Sequence, residues 1–434
     1  MSTQTLLFGQ TFEVSGNPMT ADWQEVTKIN SSGAILIEDD RIAAVGDRET
    51  LSKNHPRAQR VDYGMHLISP GFVDAHAHYP QTAMIASWGK QLIDWLNSYT
   101  FPEETRFEDP DYASKIAARY LDLVLSHGTT TVCSYTTIHA HSVTAFFDAA
   151  AQRGMRTVAG KTCMDRNAPA ALRDTAQSAF DDSKRLLEQW HRRGRAEYAI
   201  TPRFSPTSSP EQLEALGALW QSHPDCLMQT HLSEQLPEID WVRGIYPTAR
   251  DYLDTYEMHG LLGSRAVFGH AIYLEPREVD RIAETNAALV HCPTSNTFIG
   301  SGLMDVAGLA ARRIPLGLAT DTGGGSSFSM LRTMAAAYEI AQLRGKALHP
   351  AQLMWLATAG SARSLHLDAK IGKLEPGLEA DITVIDLAST PAIAQRHAEA
   401  SDSWEAIFPT IMMGDDRAIA DVWVAGKRRP KRDL

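Results

Sequence analysis

Imidazoles and carboxylates recur in this chain at a few positions whose local pattern is that of strand ends. His76 and His78 flank Ala77 at the end of an alternating run from Phe72 to Tyr79. Residues i and i+2 of a strand share a face, so both imidazoles can enter one site. His231 follows Thr230 in the run that begins at Leu227, and Glu234 comes three residues later. His270 follows Gly269 in the run from Arg265, and Asp321 sits between Thr320 and Thr322 in the run from Ile314. Imidazole nitrogen and carboxylate oxygen suit Zn²⁺, and a catalytic zinc keeps one position for water. Four histidines and an aspartate converging on one point would activate that water for hydrolysis. An H-x-H alone is a weak signal, since two unrelated histidines explain it equally. The same residue types at four strand ends are a joint signal.

Other candidates read more plainly. His139-Ala140-His141 repeats the H-A-H spacing but lies past a strand end, before a helix start expected at Ser142. Surface or supporting imidazoles are the reading there. His291, which opens HCPTSN, reads as a packed core histidine. Lys161 could in principle be a carboxylated lysine bridging two metals. No partner arrangement demands that, so Lys161 is read as structural or close to substrate, and the site as mononuclear.

The elements that must position these groups are strands separated by helices. Eight runs rich in Val, Ile, Thr and small residues begin near Phe72, Thr129, Met155, Glu197, Leu227, Arg265, Ala288 and Ile314. Several are too apolar to alternate, as expected of parallel strands buried on both faces. Between them the pattern is helical. At Ser209 to Gln221, Ser209 is the expected N-cap, Pro210 takes the first helical position and Gln212 completes a capping box. Leu213, Leu216, Leu219 and Trp220 follow at helical spacing. Such alternation predicts an α/β fold, a TIM (β/α)₈ barrel with chemistry at the C-terminal strand ends. Residues 1–68 and 369–434 are strand-rich with Gly and Asp turns. They are expected to pair into a small β-sandwich-like domain, leaving 69–368 as the catalytic barrel.

Composition limits the function classes. The 434 residues carry a formal net charge of −11, with 44% hydrophobic and 21% charged residues. An acidic chain of ordinary composition argues against a nucleic-acid binder. The basic cluster Lys427, Arg428, Arg429, Lys431 and Arg432 reads as a solvated tail. Cys133, Cys163, Cys226 and Cys292 form no C-x-x-C pair, which suits a reducing compartment. The N-terminus lacks the features of a signal peptide, and no apolar run approaches the ~18 residues that span a bilayer. The expected location is the cytoplasm.

The segments PGFVDAHAHYPQ, WLNSYTFPEETRF, HGTTT, DRNAP, ITPRFSPTSS, THLSE, HCPTSN, GSGL and TDTGGGSSFSML occur in this order along nearly the whole chain. In them the chain resembles the amidohydrolase superfamily and, within it, the guanine deaminase family. PGFVDxHxH by itself marks only the superfamily; Ala75 and Ala77 stand where members can carry larger residues. The resemblance implies one zinc per chain held by His76, His78, His231 and Asp321. It also implies catalytic roles for Glu234 and His270, and purine contacts from Gln81, Arg203 and Phe204. A homodimer is implied as well. The implied reaction removes the 2-amino group of guanine, giving xanthine and ammonia in purine catabolism. Glu234 would protonate ring N3 and shuttle a proton to the leaving amine, His270 would orient the water, and Asp321 would take its proton. Arg203, a charged end to an apolar strand, suits the O6 and N7 acceptors, or else forms a structural ion pair. Phe204 offers a stacking face or core packing, and Gln81 either reads the mixed purine edge or fixes a loop. Trp88, Trp95 and Phe101 either wall the pocket or pack in the core. Competing readings are a deaminase of a pterin or 8-oxoguanine, a cyclic-amide hydrolase with a second metal and a bridging lysine, and a non-catalytic barrel. The complete ligand set and Glu234 argue against the last.

Overall fold

The computed structural model describes residues 4–89 and 91–429. Eight parallel strands follow one another around a nearly closed barrel. They are Phe72–His78, Thr129–Tyr135, Arg156–Gly160, Ala196–Pro202, Leu227–Leu232, Ala266–His270, Ala288–His291 and Leu316–Leu318. These are the eight runs read from the sequence. The first two are buried at every residue, as parallel strands covered on both faces are. Just past the eighth strand, the Asp321 N–H donates to the His76 carbonyl at 3.0 Å. The His78 N–H in turn donates to the Thr322 carbonyl at 2.7 Å. The last strand end is thereby tied to the first.

The helix expected after the fourth strand runs Pro210–Gln221, with the Ser209 hydroxyl accepting from the Gln212 N–H at 3.1 Å. The return half of the capping box is replaced. Asp165 takes the Ser209 N–H at 2.7 Å, and the Gln212 amide donates instead to Asp174 at 2.6 Å. Carboxylates are stronger acceptors than the Gln212 carbonyl, so they capture both donors. The helix after the second strand starts at Ala140 rather than Ser142. The Ser142 hydroxyl is engaged by the Thr137 N–H at 3.1 Å, inside the first turn rather than before it.

The chain divides into two compact units. One comprises Met1–Asp74, Asp122–Thr131 and Phe328–Leu434; the other comprises Ala75–Leu121 and Val132–Ser327. In the first, seven strands form one sheet, with both chain ends contributing. The two contributions meet where Ile382–Ile385 pairs antiparallel with Gln59–Pro70. Alternation divides the sheet's two faces. Leu7, Ile35, Ile37, Ile68, Ile382, Val384 and Trp423 make one core, on a single sheet rather than between the two of a sandwich. Leu6, Phe8 and Leu36 pack on the other face with Leu51 of the helix Arg48–Asn54. Lys427–Arg428 is a short exposed strand whose Arg428 pairs with Asp421; Lys431 and Arg432 lie outside the described residues. Among the described residues no helix is long and apolar enough to cross a membrane. The four cysteines are buried and form no disulfide among the described residues.

Candidate active site

Every residue singled out for chemistry lies in the second unit, at the C-terminal ends of its strands or just beyond. The ligating atoms of His76, His78 and His231 all lie within 4.8 Å of one another. Nε2 of His78 is 3.1 Å from Nε2 of His231. Oδ1 of Asp321 is 3.4 Å from Nε2 of His76 and of His78. His231 Nδ1 sits 2.6 Å from the Arg203 carbonyl, which can only accept. That nitrogen therefore carries the proton, and Nε2 turns a lone pair into the site. Burial holds His78 and His231 well below the ordinary imidazole range and lowers His76 as well. Neutral imidazoles are the form that ligation requires. Two neutral nitrogens facing each other beside a carboxylate fit a single cation, and the three-nitrogen, one-oxygen donor set suits zinc.

The backbone is bent to make this arrangement. A Cβ on Gly269 would lie 2.6 Å from Cε1 of His76, so only glycine lets the sixth strand pass beneath that ring. His270 and Asp321 have φ of +68° and +48°, in the left-handed region that non-glycine residues seldom occupy. Such conformations persist where the surroundings over-determine them, and they cluster at working sites.

Beside the imidazole cluster lies a set of proton-carrying groups. His270 Nε2 is 3.4 Å from Oε2 of Glu234 and 3.7 Å from Oδ2 of Asp321. Its Nδ1 is 2.9 Å from Oδ1 of Asn296, which orients the ring. The Ser301 hydroxyl donates to Glu234 Oε1 at 2.7 Å. Burial pushes the Glu234 carboxyl up to about 7. Asp321 goes the other way. Burial would raise it, but the His76 bond and the surrounding imidazoles hold it at about 2. Burial would lower His270, yet the carboxylates of Glu234 and Asp321 outweigh it and raise the imidazole. One carboxyl thus exchanges a proton near neutrality while its neighbour stays ionised, the division of labour that acid–base chemistry needs.

Another part of the pocket lining is polar. Arg203 donates from Nη1 to Oε2 of Glu104 at 2.7 Å, and Gln81 donates from Nε2 to Oε1 of Glu104 at 3.0 Å. The guanidinium lies 5.7 Å from the centre of the Phe101 ring. Phe204 stands edge-on to His231 and Trp241, with ring centres 6.3 and 6.4 Å away. Leu92, Trp95, Leu96 and Ile299 complete a pocket of about 400 Å³ counted out to its mouth.

Residues 67–429 match the Amidohydrolase family, and residues 33–58 match an imidazolonepropionase-like composite domain of bacteria. The chain belongs to the amidohydrolase family. It is 43% identical over 396 residues to the guanine deaminase of Escherichia coli strain K12, covering 91% of this chain and 90% of that one. It superposes on a solved E. coli guanine deaminase with a TM-score of 0.96 at 40% identity, covering 99% of this chain and all of the other. A guanine deaminase from C. acetobutylicum with guanine bound in its active site superposes with a TM-score of 0.89 at 28% identity, over 98% of this chain and 100% of that one.

In this amidohydrolase, the structure brings His76, His78, Gln81, Arg203, Phe204, His231, Glu234, His270 and Asp321 together; all but His76 line the pocket. Trp95 lines it too, and Phe101 packs under Arg203. Trp88 is 79% exposed and is not among the residues that line this pocket. His141 Nε2 donates to the Phe107 carbonyl at 2.7 Å and is not among the clustered imidazoles. His291 is buried with neither ring nitrogen hydrogen-bonded among the described residues, and burial holds it at about 3, as a core histidine. The Lys161 ammonium is paired with Asp174, so it serves as a buried structural cation. Sequence reasoning missed Glu104, Asn296 and Ser301. All three stand inside segments that carried the resemblance, but each acts by holding another side chain, which spacing alone does not reveal.

Proposed function

We propose that this amidohydrolase is a guanine deaminase, which turns guanine and water into xanthine and ammonia in purine catabolism. The observation that carries the reading is the two-sided pocket. A neutral imidazole cluster with a proton-carrying Glu234 faces an arginine and an amide suited to the polar edge of a purine. His76, His78, His231 and Asp321 would hold one zinc ion, which when bound lowers the pKa of a water to about 7. Arg203 and Gln81 bind the heterocycle's edge, and Phe204 and the apolar wall exclude bulk water around it. His270 Nε2 orients the attacking water toward C2, and Asp321 Oδ2 accepts its proton. Glu234 delivers its proton to N3, so that charge does not build on the ring. Glu234 then carries the C2 hydroxyl proton to the exocyclic nitrogen, the C2–N bond breaks and ammonia leaves, and the proton held by Asp321 restores Glu234, leaving C2=O and N3–H. A cytoplasmic location is supported by four buried cysteines that form no disulfide among the described residues, and a homodimer by the family resemblance alone. The test is to incubate purified, zinc-loaded protein with guanine and assay xanthine and ammonia. 8-Oxoguanine and a pterin are run at equal enzyme concentration. Absence of xanthine overturns the reading, and faster turnover of either alternative reassigns the substrate.

A further inference from the structure

Glu104 belongs neither to the imidazole cluster nor to the proton-carrying set, yet it is a carboxylate with 1% exposure, bonded to two residues that line the pocket. It sits in the helix Phe101–Thr105, on the long segment that follows the first barrel strand. Its two oxygens are divided between two partners: Oε1 accepts from Gln81 Nε2 at 3.0 Å and Oε2 from Arg203 Nη1 at 2.7 Å. A side-chain amide has a donor end and an acceptor end of nearly equal shape, and its hydrogen-bond partners decide which way round it stands. An ionised carboxylate accepts only, so the amide nitrogen must face Glu104. The amide's free end is then Oε1, which makes no hydrogen bond among the described residues. Arg203 donates one N–H to Glu104 and keeps the rest of its fork for the pocket it lines.

We propose that Glu104 is a positioning residue that fixes the polarity of the purine-reading wall. By holding the Gln81 amide nitrogen and one Arg203 donor, it presents an acceptor beside a donor. That pair matches a ring N1–H next to a C6=O group and opposes a bare N1 next to a C6 amino group. The inference rests on the guanine deaminase reading for its choice of substrate edge. It adds that discrimination against 6-aminopurines comes from a residue that need not touch the substrate. A mismatched edge would set donor against donor and acceptor against acceptor, leaving buried groups unpaired, which is how polar sites reject close analogues.

The test uses two ligands that lack a 2-amino group. Hypoxanthine carries N1–H and C6=O; adenine carries the opposite pattern. Equilibrium binding to the zinc-loaded wild-type protein should favour hypoxanthine by at least roughly 100-fold. In Glu104→Gln the wall keeps its shape but gains an amide that can donate, so Gln81 is free to turn over. The hypoxanthine-to-adenine ratio should fall by at least about 10-fold. KM for guanine should rise by roughly 10- to 100-fold, with kcat changed much less. Zinc content and the melting temperature report that the fold and the metal site are intact. Should that variant not fold, Glu104→Asp keeps the charge but, one methylene shorter, does not hold both partners, and the same ratio is read from it. A folded variant whose ratio stays within about 3-fold of wild type overturns the inference, as does a wild-type protein that binds adenine as well as hypoxanthine. Failure of the wild type to make xanthine from guanine overturns the substrate reading instead, while the ratio and its response to Glu104→Gln still decide the role of Glu104.

Discussion

Two buried carboxylates lie within 4 Å of the same imidazole nitrogen, yet they hold their protons very differently. Asp321 is surrounded by imidazoles and stays ionised. Glu234 faces one imidazole and the apolar interior, and its carboxyl rises to about 7. Only the second can give up a proton near neutral pH and take it back. Glu234→Gln separates that role from metal binding. Gln is nearly isosteric and keeps a bond to Ser301, but it carries no transferable proton. Zinc content should stay near normal while kcat falls by roughly 10²–10⁴. Measured zinc loss would show that Glu234 supports the metal site, and retention of most of kcat would remove it from proton transfer. Residues of this kind were legible in the sequence because chemistry restricts their type and the strand ends restrict their place. Glu104, Asn296 and Ser301 were not. Each is defined by the side chain it holds, and no local pattern encodes a partner up to 99 positions away.

The barrel strands were legible for a physical reason: a segment buried on both faces must be short, apolar and bounded by turn residues. The capping of the helix after the fourth strand was half legible. Ser209 caps as expected, but its own N–H is claimed by Asp165, whose loop reaches it only in three dimensions. A similar device stands at the helix Pro276–Thr285. Buried Glu278 accepts the backbone N–H of Leu253 at 2.9 Å and of Glu275 at 2.7 Å. Burial raises this carboxyl from its ordinary 4.5 to about 7. The sign follows directly. Between those two values the folded chain binds a proton that the unfolded chain does not, so raising the pH through this window erodes stability. The contribution is absent below about 4.5 and complete above about 7. Glu278→Gln does not titrate. Denaturant melts at intervals from pH 5 to 7.5 should show wild type losing stability relative to the variant, by on the order of 1–3 kcal/mol. Parallel curves for the two proteins would show that Glu278 keeps an ordinary pKa in the fold.

At the scale of the whole molecule, the question is how many metal ions the chain holds. The imidazole cluster gathers residues from the first and fifth strands, and Asp321 follows the eighth, so a single cation would link segments 245 positions apart. A second ion in this architecture would need a bridging anion, and the candidate was Lys161. That ammonium is buried and paired with Asp174, whose other oxygen accepts from Gln212 at 2.6 Å. Carboxylating Lys161 would set two anions against each other in the interior, where breaking a buried pair costs about 3–5 kcal/mol. Elemental analysis should therefore find about one zinc per chain. Because the cluster exists only in the folded chain, bound metal stabilises it, by about 4 kcal/mol when free metal stands ~1,000-fold above Kd. Chelation should abolish turnover and lower the melting temperature together, and zinc should restore both with a stoichiometry near one. Two tightly held ions per chain would reject the single-metal site. Full turnover after exhaustive chelation, with the metal shown to be gone, would mean that the imidazoles themselves carry the reaction.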